Sequence, residues 1–305
     1  MRQSVALRGL LGILLLGLLP AGAPRAATVL RVAYAGSMGV VMDRHLGPAF
    51  AQAEGIEFQG IGQGAYGLAR LLAARALRAD VFVSITPGPI AVLQQAGLVD
   101  RAVPVASTQM VIAYSPRSRF ASALRAAAQG RRPWWQVLET PGLRFGRTDP
   151  ATDPQGRNIV FTMLLAERFY RQPDLVRRIL GAVRNPAQIF TEPSLLSRLQ
   201  AGQLDAASGY RSAAISHHLP WIPLPDAINL DDPARLADPD VQLQLRLPDG
   251  RPETLHPQPL VFYAAVLKDA VQPKLAQAFV DFLRSARGQA LLRAQGYGSV
   301  PDHAR

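Results

Sequence analysis

Cysteine is absent from all 305 residues. That excludes disulfide scaffolds, thiol nucleophiles and thiolate metal sites, and with them the lipidated cysteine that tethers some exported chains. Runs of lysine or arginine are missing too: the 33 basic residues are dispersed, which argues against a nucleic-acid partner. The apolar run from Leu10 to Leu19 is shorter than the ~20 residues that a membrane span needs. It follows Arg2 and Arg8 and leads into Ala21-Gly22-Ala23 and Ala26-Ala27. A basic start, a short apolar middle and a small-residue exit describe a secretory leader. Residues 1–27 are therefore expected to be a signal peptide cut near Ala27, and the mature chain to be periplasmic. No internal repeat or low-complexity segment is present.

What is there is basic and long. The net charge of +11 becomes +8 once Arg2, Arg8 and Arg25 leave with the leader, and a positive balance suits anionic ligands. The remaining chain exceeds one typical domain, so two lobes are expected. The strand pattern Val29–Tyr34 is followed by a helical pattern to Phe50, a strand at Ile56–Ile61, a helix over Leu68–Leu77 and a strand at Asp80–Ile85. This β/α alternation with short links is that of a parallel sheet covered by helices. After the apolar strand Thr108–Tyr114 the alternation restarts, with a strand at Leu143–Arg147 and helices over Ile159–Phe169, Ser194–Ala201 and Arg211–His217. The tail carries an alternating strand at Val241–Leu247, a turn at Pro248–Arg251 and a buried strand at Leu260–Val266. Helices over Lys274–Ser285 and Gly288–Ala294 close the chain, the first with an apolar stripe at Ala276, Phe279, Val280 and Leu283. Residues 28–107 with 228–305 are expected to form lobe one, and 108–227 lobe two.

The most informative segment is Asp149-Pro150-Ala151-Thr152-Asp153-Pro154-Gln155-Gly156. Proline bars the residue before it from helix, so each Asp is held extended just ahead of a helical pattern, where free N–H groups bind anions. Asp153 is either a turn residue and helix cap or a ligand group. A ligand role requires it to be protonated, or to touch the electron-poor centre of an oxyanion. Ser37, after the first strand, is either an N-cap or a donor to a ligand. Ala35-Gly36-Ser37-Met38-Gly39 is one residue off a hydrolase nucleophile elbow, and His217, His218 and His256 follow, so an exported serine hydrolase using Ser37 is the alternative from another class. Gly62-Gln63-Gly64-Ala65-Tyr66-Gly67 matches a dinucleotide fingerprint but sits on the second strand, without the acid at the end of the next one. Its glycines would let backbone N–H groups approach an anion at Gln63, Gly64 and Ala65.

Taken together, these segments resemble the molybdate/tungstate-binding proteins of ABC importers, within the type II periplasmic binding protein fold. The resemblance covers roughly residues 30–300. It rests on Ala35-Gly36-Ser37, the glycine turn at Gly62–Ala65, Ala79–Ser84, Gly146–Gly156, Leu199–Asp205, Gly209-Tyr210-Arg211-Ser212, and Leu224-Pro225 with Ile228-Asn229-Leu230. It implies an α/β, two-lobed fold, each lobe a sheet flanked by helices, with the ligand cleft between them. It implies a binding protein rather than an enzyme, with tungstate or molybdate as ligand, an ABC permease as partner, no cofactor and a monomeric state. A binder of another anion (sulfate, phosphate or a small organic acid) is the alternative within the class. The family's first-lobe hydroxyl maps onto Ser37 and its carboxylate near the metal onto Asp153, and the resemblance adds Tyr210, which opens the Tyr-Arg-Ser segment, as a ligand-binding residue. The usual serine of the glycine turn is replaced by Gln63. A second carboxylate is expected just before Tyr210, where this chain has Gly209. Glu192, which opens a helix, is the nearest other acid, and sequence assigns it no place in the cleft.

Overall fold

A computed structural model describes residues 27–233, 236, 239–246 and 250–300. The expected leader lies outside these residues except for Ala27, and so does half of the turn expected at Pro248–Arg251. The strands in chain order are β1 (Val29–Ala35), β2 (Glu57–Gln63), β3 (Val81–Ile85), β4 (Val103–Ser107), β5 (Met110–Tyr114), β6 (Phe145–Gly146), β7 (Ala206–Tyr210), β8 (Trp221–Pro223), β9 (Leu243–Arg246), β10 (Pro252–Leu255) and β11 (Val261–Val266). They make a five-stranded sheet in the order β2-β1-β3-β11-β4, a four-stranded sheet in the order β6-β7-β5-β8, and the separate hairpin β9-β10. β1, β2 and β3 are parallel, and β11 returns antiparallel between β3 and β4.

The residues account for the layering. β3 and β5 are buried along their whole length and apolar on both faces, as strands covered by helices on each side must be. β9 buries alternate residues, as its sequence pattern predicts. The stripe Ala276, Phe279, Val280 and Leu283 is buried in full on the helix Pro273–Arg284. Phe279 meets Phe50 and Phe58 at centroid distances of 5.1 and 5.7 Å, so this helix packs on the first sheet's side of the molecule. β4 has no counterpart in the sequence reading. It is an edge strand that tolerates Pro104, as edges do.

The chain passes between the sheets where Thr108 N donates to Leu260 O, Met110 N to Asn229 O and Leu260 N to Leu230 O. Leu230 has a φ of 65° there, a left-handed conformation that a bulky side chain adopts only under tertiary constraint.

Several boundaries differ from the sequence reading in ways that matter to the site. The helix expected from Ile159 begins at Pro154, because Asp153 is extended and its carboxylate accepts the Gln155 N–H at 2.9 Å. β2 runs through Gln63, and the next helix spans Ala65–Ala73 with Gly64 as its cap. The helix expected over Ser194–Ala201 starts at Glu192. The strand expected over Leu143–Arg147 contracts to Phe145–Gly146.

Candidate functional site

Four chain segments converge between the sheets: the end of β1, the end of β2, the start of the helix Pro154–Phe169 and the start of the helix Glu192–Gln200. Two of the approaches are close: at Gly64 only glycine fits, and at Gly36 a side chain would crowd its neighbour. A Cβ on Gly64 would lie 2.8 Å from Thr152 O and 3.2 Å from Asp153 Oδ2, and a Cβ on Gly36 would lie 3.1 Å from Glu192 Oε2. The Asp153 carboxylate therefore rests on the glycine turn after β2, and the Glu192 carboxylate on the turn after β1. Both are buried.

A polar network holds them. Gln155 Nε2 donates to Glu192 Oε1 at 3.1 Å, and Ser208 Oγ donates to Gln155 Oε1 at 2.9 Å. The Ser37 backbone N–H lies close enough to the Glu192 carboxylate to favour its charged form, against the larger effect of burial. Tyr210 is buried and its hydroxyl accepts from Asn158 Nδ2 at 3.0 Å. Ser37 Oγ is buried with no hydrogen-bond partner among the described residues. An orphaned buried hydroxyl costs about 1–3 kcal/mol, and such groups occur where a ligand is to be met. The cap reading of Ser37 finds no support, since no side chain caps the helical turn Gly36–Met38.

Burial dominates the electrostatics. It lifts the Asp153 carboxyl to about 6 against the pull of the Gln155 N–H. The Thr148 hydroxyl also lowers it, although that contact falls short of hydrogen-bond geometry. Burial, and then the neighbouring Asp153, push Glu192 well above the usual carboxylate range. Burial followed by the same two acids raises Tyr210, so its phenol keeps its proton and remains a donor. The two buried arginines of this region are engaged elsewhere. Arg147 donates to the carbonyls of Ala182 and Val183 and to Gln188; burial draws its pKa down to about 10. Arg157 donates to Pro150 O.

Beside the carboxylates opens a cleft of about 640 Å³ whose lining includes Gln63, Gly64, Thr148, Asp153, Thr191 and Glu192. Gln63 is exposed at its rim, and Ala65 is buried as the first residue of its helix. The network adds Gln155 and Ser208, which sequence reasoning passed over, and Glu192, which it named without placing in the cleft, to the candidate site. The pattern held one usable signal for Glu192: an acid followed by proline at a helix start, like Asp153-Pro154.

The second carboxylate is not at position 209. In the β5–β7 pairing Gly209 lies opposite Val111 and Ala207 opposite Ala113, so Gly209 shares a sheet face with the apolar cluster of Val111, Ala113, Leu195 and Ala207. Ser208 and Tyr210 point to the other face, because side chains alternate along a strand. The second acid that the structure brings beside Asp153 is Glu192.

The rival chemistries lack their geometry. A serine hydrolase needs its nucleophile hydrogen-bonded to a histidine, and Ser37 Oγ has no such partner among the described residues. The last glycine of the dinucleotide fingerprint is already engaged: Gly67 N, inside the helix, donates to Thr152 O at 3.0 Å. Among the described residues no group of three or more His, Asp or Glu is placed to hold a metal ion, and no helix is long and apolar enough to cross a membrane.

Known proteins share this architecture. The molybdate/tungstate-binding protein WtpA of Pyrococcus abyssi is 28% identical over 228 residues, which is 66% of this chain and 65% of that protein. A solute-binding protein of Methanoculleus marisnigri is 30% identical over 257 residues, 73% of this chain and 71% of the relative. The periplasmic molybdate-binding protein of Azotobacter vinelandii superposes with a TM-score of 0.64 at 16% identity, over 90% of this chain and all of that one. The sulfate-binding protein SubI of Mycobacterium tuberculosis gives 0.59 at 16% identity, over 91% and 88%. At such identities the solved structures establish the fold, which is the two-lobed α/β fold of type II periplasmic binding proteins. Residues 30–298 match the bacterial extracellular solute-binding proteins, and the chain belongs to that family.

Proposed function

We propose that the protein is exported, captures a tetrahedral oxyanion, tungstate or molybdate, in this cleft, and delivers it as a monomer to an ABC permease without making or breaking a covalent bond of its own. The observation that carries this reading is the pairing of the Asp153 and Glu192 carboxylates beside the unpartnered Ser37 hydroxyl. Two acids are a poor welcome for an anion whose central atom is closed to further ligands. Molybdenum and tungsten are large and electron-poor, and accept extra oxygens. Carboxylate oxygens approaching from two sides would raise their coordination above four, which sulfate and phosphate cannot follow. Ser37, the Tyr210 phenol and the amides of the glycine turns would serve as neutral donors to the anion's own oxygens. The names of the Pyrococcus and Azotobacter relatives point to the same ligands.

Calorimetric titration of ligand-free protein with tungstate, molybdate, sulfate and phosphate tests the reading. Tungstate and molybdate should bind far more tightly than the other two, and X-ray absorption of the bound metal should report more than four oxygen neighbours. Preference for sulfate or phosphate would sink it.

A further inference from the structure

We propose that Arg157 and Tyr66 form a cross-cleft latch that holds the lobes closed over the ligand, with the β9–β10 hairpin bracing the arginine. Arg157 lies one turn beyond Asp153 on the helix Pro154–Phe169, which belongs with the second sheet. Tyr66 lies in the helix Ala65–Ala73, which packs on the first. The Arg157 guanidinium carbon sits 3.7 Å from the Tyr66 ring centroid, closer than the ~6 Å within which a cation over an aromatic face is attracted.

The rest of the environment fits that role. Arg157 is 4% exposed. Its Nε donates to Pro150 O at 2.9 Å, fixing the plane of the guanidinium. Its terminal nitrogen NH2 is buried with no hydrogen-bond partner among the described residues, and the Tyr66 ring face against the guanidinium compensates it. Glu253 on β10 reaches to within 3.7 Å of the same nitrogen, too far for a hydrogen bond but near enough to balance charge. Tyr66 is backed by Gly88, where a Cβ would come 2.0 Å from its hydroxyl. Two nearby contacts also cross between the lobes: Arg70 NH1 to Ala151 O at 2.9 Å, and Gly67 N to Thr152 O at 3.0 Å. Of these contacts only the Arg157–Tyr66 stack sets a buried cation against a neutral face. When the lobes part, the guanidinium regains water and the ring loses its partner. The stack therefore exists in the closed form alone, and it acts on ligand release rather than on ligand entry.

The latch rests on the oxyanion reading only for the ligand used to time release; lobe separation can be followed without any ligand. The chain has no native cysteine, so Gln95→Cys with Gln136→Cys, exposed positions on the two sides, allows paired spin labelling of the full mature protein. Tyr66→Leu and Arg157→Met should each lengthen the inter-label distances and speed tungstate release about tenfold, in line with a desolvated cation–aromatic contact. Association rates should stay as in wild type. Tyr66→Phe, which keeps the ring face, should restore both readouts. The double variant should be no worse than either single one, because both remove the same contact. Additive effects, or distances unchanged in both single variants, would overturn the latch. If wild type takes up none of the oxyanions, the functional reading fails and the label distances still decide the latch.

Discussion

Gln155 Nε2 donates to Glu192 Oε1 across 3.1 Å, joining residues 37 positions apart in sequence. Ser208 fixes the amide's other end, so the carboxylate of Glu192 is aimed by a side chain that the sheet itself orients. Glu192→Gln should keep this bond pattern while removing the acid. We expect tungstate affinity to fall at least tenfold. The ligand-free protein should melt at the same temperature or higher, because a buried carboxyl with a raised pKa opposes folding at neutral pH. Titration and calorimetric melting together check this; a lower melting temperature with unchanged affinity would make Glu192 a purely structural residue.

Ser37→Ala removes an unpartnered hydroxyl and no cap. The ligand-free fold should be as stable as wild type or more so, by up to the ~1–3 kcal/mol that the orphaned hydroxyl costs, while affinity drops by the ~1.5–3 kcal/mol of a hydrogen bond to a charged group. Denaturant melts beside binding isotherms separate the two effects.

The pair Asp153–Glu192 makes binding pH-dependent. Both folded-state pKa values are raised, Asp153 to about 6, so the native protein holds protons that the unfolded chain has released. The stability from this pair is fully present below the unfolded values near 4 and is lost as pH rises through about 6. The other ionisable groups acting on the pair are Asp149, itself paired with Arg184, and the protonated Tyr210. To ligate the electron-poor centre both carboxyls must be deprotonated, so binding displaces the proton that the raised pKa values retain. Binding should therefore release a proton, and affinity should rise with pH through about 6. Titrations in buffers of different ionisation enthalpy would show the release; equal apparent enthalpies would contradict it.

Gly209→Glu distinguishes the two sheet faces. Its side chain would enter the apolar cluster with Val111 and Ala113, so the variant should lose ~2–4 kcal/mol of stability for a buried, unpaired polar group. Oxyanion selectivity should not change. A stable variant with altered selectivity would show that position 209 reaches the ligand.

Gly156→Ala tests the close packing behind Asp153. A Cβ there would lie 2.5 Å from Thr148 O and 2.6 Å from Pro150 N, both backbone atoms. Overpacking against backbone should cost ~1–3 kcal/mol and displace the Asp149–Asp153 loop, weakening binding as well. A melt within 0.5 °C of wild type would refute this.

The sequence by itself determined what depends on local chemistry. The β/α alternation, the stripe on the helix Pro273–Arg284 and the placement of Asp153 ahead of a proline-started helix all follow from periodicity and from the φ restriction of proline. Ser37, Gln63, Gly64, Ala65, Asp153 and Tyr210 are legible as candidate site residues for the same reason, because strand ends and helix starts announce themselves. Only the tertiary structure decided which acid joins Asp153. Glu192 arrives because its helix start is delivered against Gly36, an approach visible only as a missing Cβ. Gly209 is excluded by the β5–β7 register, in which one residue of offset exchanges the cleft-facing and core-facing sides of a strand. Neither a long-range approach nor a pairing register is encoded in any short segment, so the second half of the site emerges only when the lobes are assembled.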